Sequence, residues 1–240
     1  MSYYAISDLH GYPLDKFKAL LDKVGFNEND TLFIIGDVVD RNGDGGIAML
    51  RYIMAQPNFE FLLGNHEDML LACDFLFSEI TEESIDALTE EHERALGRYL
   101  RNGGGVTLEN LRALKNSDPE AFRETLDFLR DAPVIGACSV GGRDFLLVHG
   151  GFPDFDPKKK LKDYTAYGLL WARPDLSTEY FDDVITILGH TPTVIYGEEY
   201  RGRVVKTRTF INIDTGAAYG EAPALLRLDD LEVFYGEKAE

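Results

Sequence analysis

Five times along this 240-residue chain, an apolar run ends in a glycine-flanked turn bearing aspartate, asparagine or histidine. YYAIS (3–7) runs into Asp8, Leu9, His10 and Gly11, and TLFII (31–35) into Gly36, Asp37, Val38, Val39, Asp40 and Arg41. FEFLL (59–63) leads to Gly64, Asn65, His66 and Glu67, DFLLV (144–148) to His149, Gly150 and Gly151, and VITIL (184–188) to Gly189, His190, Thr191 and Pro192. Short continuous apolar runs are the mark of strands buried on both faces. Polar groups that follow such strands collect at one edge of an α/β sheet, where ligands bind. Taken singly, each motif is explained as a helix cap or a turn former. In series they confine the chain to folds that bring all five tips together. The histidines repeat the point: four of five, His10, His66, His149 and His190, sit in these turns, and His92 alone does not.

The rest of the chain fits around these tips. Further strands are expected at 134–140, 143–148, 224–228 and 231–235, and one long strand over VVKTRTFINID, 204–214. Gly141-Gly142 and Asp229-Asp230 are placed to turn hairpins. Leu14, Phe17, Leu20, Leu21 and Val24 share one helical face, and 44–55 reads as a second helix. From Glu67 to Asp131 the pattern is mostly helical, broken at Gly103-Gly104-Gly105. Its acidic stretch, 81–93, reads as a solvated helix face. The expected architecture is one α/β domain over residues 1–240 with a helical insertion at about 67–131.

Twenty-four Lys and Arg against 42 Asp and Glu give a net charge of −18, which disfavours a nucleic-acid polymer as partner. No apolar run approaches a membrane span and no secretory signal is visible, so a cytoplasmic protein is expected. Cys73 and Cys138 lie far apart without metal-ligand spacing. They read as reduced thiols, a single disulfide being the alternative.

Two aspartates, an asparagine and several imidazoles gathered at one edge would repel one another or be costly to desolvate. Divalent cations resolve this. Mixed oxygen and nitrogen donors suit Mn, Fe, Zn or Co better than Ca or Mg, and the absence of cysteine argues against a structural thiolate zinc.

In this order, D-x-H-G, G-D-x-x-D-R, G-N-H-E, H-G-G and G-H-T-P resemble the calcineurin-like metallophosphoesterases, and more narrowly their phosphoprotein phosphatase branch of bacterial and phage type. RNGGGVTL (101–108), LLWARPD (169–175) and FINIDTGAAYG (210–220) extend the resemblance. It implies a β-sandwich of two mixed sheets flanked by helices, with two metal ions, manganese foremost, at the sheet edge. Asp8, His10 and Asp37 would hold one ion; Asp37, Asn65, His149 and His190 would hold the other. A metal-bridging hydroxide would attack phosphorus. His66, paired with Asp40, would act as general acid, and Arg41 and Arg173 would grip the phosphate. Asn42 departs from the family's usual glycine; its tolerance of left-handed backbone is expected to preserve the turn. Glu67 and Asp68 are expected to suit the positive end of the next helix, with Glu67 also buttressing a neighbour.

The expected activity is hydrolysis of phosphoserine or phosphothreonine in proteins or of a small phosphoester. The alternative is a nucleotide enzyme that cleaves dinucleoside tetraphosphates. The insertion is the expected arbiter, offering Tyr99 for base stacking and Arg94, Arg98 and Arg101 for extra phosphates. A non-catalytic binding module on the same scaffold finds no support, since each expected ligand, acid and arginine is present.

Overall fold

The computed structural model describes residues 1–79 and 81–239. In chain order the strands are β1 (Tyr3–Ile6), β2 (Thr31–Ile35), β3 (Phe59–Leu62), β4 (Ile135–Val140), β5 (Arg143–Val148), β6 (Val184–Leu188), β7 (Val205–Lys206), β8 (Phe210–Asn212), β9 (Ala224–Arg227) and β10 (Val233–Tyr235). The helices are α1 (Leu14–Lys23), α2 (Ile47–Met54), α3 (Asn65–Leu71), α4 (Glu82–Asp86), α5 (Glu90–Arg101), α6 (Gly105–Ser117), α7 (Pro119–Asp131) and α8 (Ala166–Trp171). Ile80, which falls in the expected insertion, and Glu240 lie outside the described residues.

Two five-stranded sheets form, ordered β10-β9-β1-β2-β3 and β4-β5-β6-β8-β7. Both are mixed. In the first, β1, β2 and β3 run parallel, β9 pairs antiparallel with β1, and β10 pairs antiparallel with β9. In the second, β5, β6 and β8 run parallel while β4 and β7 are antiparallel. Each sheet therefore contains three adjacent strands paired in parallel, and their C-terminal tips share an edge.

Successive strand side chains face opposite sides, and here both sides are apolar. Phe33 and Ile35 point between the sheets with Ala5 and Leu62, meeting Phe145, Leu147, Ile187 and Ile211. Leu32 and Ile34 point outward under Phe17, Leu20, Leu50, Ile53 and Leu111. On the far side, Leu146, Val148, Leu188 and Phe210 pack on Phe152, Tyr164, Leu169 and Tyr180. Each such buried side chain stabilises the fold by about 2 kcal/mol, which fixes the strand tips firmly enough to carry a site.

The hairpins at Gly141-Gly142 and Asp229-Asp230 form as expected. The long strand over 204–214 does not. It folds back on itself, β7 pairing antiparallel with β8, because Thr207 closes a turn: its N–H donates to Phe210 O at 2.9 Å and its Oγ1 accepts the Phe210 N–H at 3.1 Å. The second helix begins at Ile47 rather than near 44, since Gly45 and Gly46 are left-handed and the Asp44 carboxylate accepts the Gly46 and Ala48 N–H groups instead. Cys73 and Cys138 are free thiols. Among the described residues no helix is long and apolar enough to cross a membrane.

Candidate active site

The strand tips turn abruptly. Eight described non-glycine residues have positive φ, and six of them, Asp8, His10, Asp37, Asp40, Arg41 and His190, belong to the tip motifs. Left-handed backbone is uncommon outside glycine and clusters where a site over-determines it. The loops are stitched together to hold these angles: Asp8 N–H donates to Gly36 O, His10 N–H to Asp37 O and Gly11 N–H to Val38 O. Gly64 lets two loops touch, since a Cβ there would sit 2.3 Å from both the Asp37 nitrogen and its carboxylate.

Glu67 ties the loops from below. It is fully buried, and its carboxylate accepts the N–H groups of Asp37, Val38, Val39 and Gly64 at 2.8 to 3.2 Å. Burial and the neighbouring Asp37 charge push its carboxyl up to about 7, with the N–H donors opposing. Both expected parts are present: Glu67 buttresses the Asp37–Val39 loop and, from the first turn of α3, accepts the Gly64 N–H at the helix start. Asn42 also differs from expectation: the left-handed residues of this turn are Asp40, Arg41 and Gly43, while Asn42 works through its side chain, which donates to His10 O at 3.1 Å.

Above Glu67, side chains converge on Asp37. His149 Nε2 lies 3.3 Å from its Oδ2, His10 Nε2 3.5 Å and His66 Nε2 3.9 Å. These imidazoles hold Asp37 well below the ordinary carboxylate range although burial opposes them. Asp8 goes the other way: burial and the Asp37 charge raise it to about 6. Backbone carbonyls orient two rings, His10 Nδ1 donating to Val39 O at 3.0 Å and His149 Nδ1 to Ile35 O at 2.8 Å. Burial drives His10 down to about 3 and His190 to about 2, so both are neutral. Burial lowers His149 too, but Asp37 and Asp8 outweigh it and lift the ring to about 10.

These groups fit divalent cations. The neutral His10 turns an Nε2 lone pair toward carboxylate oxygens of Asp37 and Asp8 at 3.5 and 3.9 Å, a repulsive arrangement that an intervening cation makes attractive. His190 Nε2 is buried with no hydrogen-bond partner among the described residues. Two sets of donor atoms, His10–Asp37–His66 and Asp37–His149–His190, each lie within 4.8 Å of one another and share Asp37. Asn65 Oδ1 adjoins the second set, 2.9 Å from His149 Nε2. Asp8 lies against the first set, accepting the His190 N–H. The donors are oxygen and nitrogen throughout, which suits Mn, Fe, Zn or Co.

His66 stands apart from the other imidazoles. Its Nδ1 donates to Asp40 Oδ2 at 2.6 Å. Arg41 Nη2 donates to its Nε2 at 3.2 Å, an awkward neighbour for a bound cation. Burial depresses this ring, but Asp37 and the Asp40 hydrogen bond prevail and its pKa is raised. Asp40 itself is fully buried.

Asp8, His10, Asp37, Arg41, Asn65, His66, Arg173 and His190 all line one cavity of about 670 Å³. His149 and Asp40 lie buried behind its wall. Arg173, from the loop after α8, donates to His190 O at 3.2 Å. The structure thus brings all ten sequence-predicted site residues together.

It also corrects one sequence reading and adds residues that sequence reasoning missed. Tyr99 is not a stacking surface: it is fully buried and donates to Asp40. Thr107 joins it there. Arg94 projects outward, paired with Glu90, and Arg101 is exposed outside the cavity lining. Arg98 caps the Trp171 ring, 5.7 Å from its centroid. The acidic 81–93 stretch is exposed where described, as expected, apart from the half-buried His92 against Phe75. Tyr219 accepts Arg41 Nη1 at 2.6 Å. Asp214, buried at the tip of β8 and pushed well above its usual range by burial and the Asp8 charge, marks a sixth polar strand tip. Its Asp-Thr-Gly sequence carried the same signal as the other five tips, hidden by reading 204–214 as one strand.

The calcineurin-like phosphoesterase family model matches residues 1–220. A protein of Neisseria gonorrhoeae named bis(5'-nucleosyl)-tetraphosphatase, symmetrical, is 42% identical to this chain, over 97% of it and 94% of the relative. A crystal structure provisionally assigned as a diadenosine tetraphosphatase superposes with a TM-score of 0.64 at 15% identity, covering 98% of this chain and 93% of the other. A protein serine/threonine phosphatase of Saccharomyces cerevisiae superposes with a TM-score of 0.60 at 16% identity, covering 100% of this chain and 81% of the other. At those identities the two structures speak for the fold, the expected sandwich of mixed sheets flanked by helices.

Proposed function

The chain belongs to the calcineurin-like phosphoesterase family, and from that premise we propose that this metallophosphoesterase splits dinucleoside tetraphosphates at the central phosphoanhydride bridge. What carries the reading is its 42% identity, over nearly the whole of both chains, with a relative named for symmetrical cleavage of that substrate. The cavity is in keeping with it. Arg41, Arg173 and Arg201 line it beside an apolar wall of Trp171, Pro192, Val194 and Ile195. A tetraphosphate needs several cationic partners and its bases need apolar surface, whereas a monoester needs neither in this measure. The phosphoprotein reading, first by sequence, becomes the second.

In this reading Asp8, His10 and Asp37 would hold one divalent ion, and Asp37, Asn65, His149 and His190 would hold the other. Bound ions of this kind polarise phosphoryl oxygens and supply a nucleophilic water near neutral pH. The protein's own groups do the rest. Arg41 and Arg173 bind phosphate oxygens through paired N–H donors. Arg41 in turning onto phosphate leaves His66 Nε2, which then carries a proton toward the leaving oxygen while Asp40 holds the ring by Nδ1. Water adds to one central phosphorus, the bridging P–O bond breaks, and two nucleoside diphosphates leave.

The test is a side-by-side assay of the manganese-loaded protein with diadenosine tetraphosphate and a phosphoserine peptide. Two ADP per substrate and a kcat/KM at least about ten-fold above the peptide's are expected. Preference for the peptide, or products AMP and ATP, would reverse the proposal.

A further inference from the structure

Asp40 is where the helical insertion meets the strand tips. While its Oδ2 accepts the His66 Nδ1–H, its Oδ1 accepts two more hydrogen bonds, each 2.6 Å, from the hydroxyls of Tyr99 and Thr107. Thr107 Oγ1 also accepts the Asp40 N–H at 3.0 Å, so it grips backbone and side chain together. Tyr99 lies in the last turn of α5 and Thr107 in the first turn of α6, on either side of the Gly103–Gly105 break. Both are walled in. A Cβ on Gly104 would come 2.4 Å from the Tyr99 ring, and one on Gly45 would come 2.5 Å from Thr107 Oγ1. Tyr99 thus has little room to turn away, and the other acceptor near Thr107 Oγ1, Gly45 O at 3.1 Å, is farther than Asp40 Oδ1.

We propose that Tyr99 and Thr107 are positioning residues, which fix the Asp40–His66 pair in the orientation that aims His66 Nε2 at the reacting phosphate. The inference rests on the reading of His66 as proton donor. A fully buried carboxylate with one oxygen unpartnered is costly. Two short neutral donors satisfy Oδ1 and leave Oδ2 as the place where the imidazole can bind. The insertion is thereby part of the proton-transfer apparatus and not only a cover over the sheet.

A purely structural role for the two hydroxyls predicts that their loss slows all substrates alike. Positioning predicts loss graded by leaving group, because proton donation matters most where the departing oxygen is basic. The manganese-loaded variants Tyr99→Phe, Thr107→Val and Thr107→Ser are compared on phenyl phosphate and p-nitrophenyl phosphate. In each ester water adds to phosphorus, the P–O(aryl) bond breaks and the aryl oxygen takes the proton. The expected kcat on phenyl phosphate falls about ten-fold in Tyr99→Phe and Thr107→Val with KM unchanged; on p-nitrophenyl phosphate it falls less than about two-fold, and Thr107→Ser restores both. A second readout needs no turnover: the hydrogen-bonded His66 Nδ1–H resonance, assigned by its loss in His66→Asn, moves upfield or broadens in Tyr99→Phe. Equal falls for both esters, an unchanged kcat, or an unchanged resonance would overturn the proposal. Neither arm uses a tetraphosphate, so the fate of that substrate is decided separately.

Discussion

The strand tips reach the site over two or three residues of tightly turned backbone, whereas the insertion reaches it through two hydroxyls 59 and 67 residues beyond the Asp40 they hold. The tips supply groups able to hold metal ions: carboxylates, imidazoles and an amide whose positions follow from two rigid sheets. The insertion supplies orientation. The difference teaches that a site can be divided between a part whose place is dictated by the sheet and a part added to it from outside, and the two should fail differently when damaged.

The sharpest damage falls on the tips. Asp37→Asn removes the one carboxylate common to both donor sets. Activity should drop at least about 10³-fold and bound metal should fall below the wild-type content on elemental analysis. Full metal content with full activity would remove Asp37 from the centre.

Next comes the tie beneath the tips. Glu67→Gln replaces an acceptor-only carboxylate, bonded to four backbone N–H groups, by an amide that must turn donors against some of them. A stability loss of about 3 kcal/mol is expected in denaturant titration. A change under about 1 kcal/mol would show that the loops hold their left-handed turns without it.

Tyr219→Phe probes the rim. Tyr219 is 63% exposed and accepts from Arg41, so losing the hydroxyl frees the guanidinium without touching the buried centre. KM for a phosphate ester should rise about three- to five-fold with kcat within about two-fold. A fall in kcat alone would place Tyr219 in the chemical step.

The smallest effect belongs to the outer face of the insertion. Arg94 and Glu90 form an exposed pair, and Arg94→Ala should change stability by less than about 0.5 kcal/mol and leave turnover with diadenosine tetraphosphate unchanged. A marked loss of turnover would restore the expectation that the insertion's outward arginines bind substrate.

The same division sets what was legible in the sequence. The tips announced themselves because apolar runs, glycine and polar residues recur at short range, and all ten predicted residues meet in space. Asp214 was missed because its strand was joined to β7 across a turn built from Thr207 to Phe210 without glycine or proline. Tyr99 was visible but misread, since an aromatic amid arginines looks like a stacking group until its hydroxyl is seen to be buried on Asp40. Thr107 gave no signal at all. A threonine early in a helix is ordinary, and nothing local ties it to a carboxylate 67 positions earlier.

The central claim is that distant tips cage a pair of cations around Asp37. Anomalous diffraction from crystals grown with manganese tests it most directly. Two peaks about 3.5–4 Å apart, bridged by the Asp37 carboxylate and reached by His10 on one side and by His149 and His190 on the other, are predicted. Manganese found elsewhere, with Asp37 contacting only protein and solvent, would contradict it.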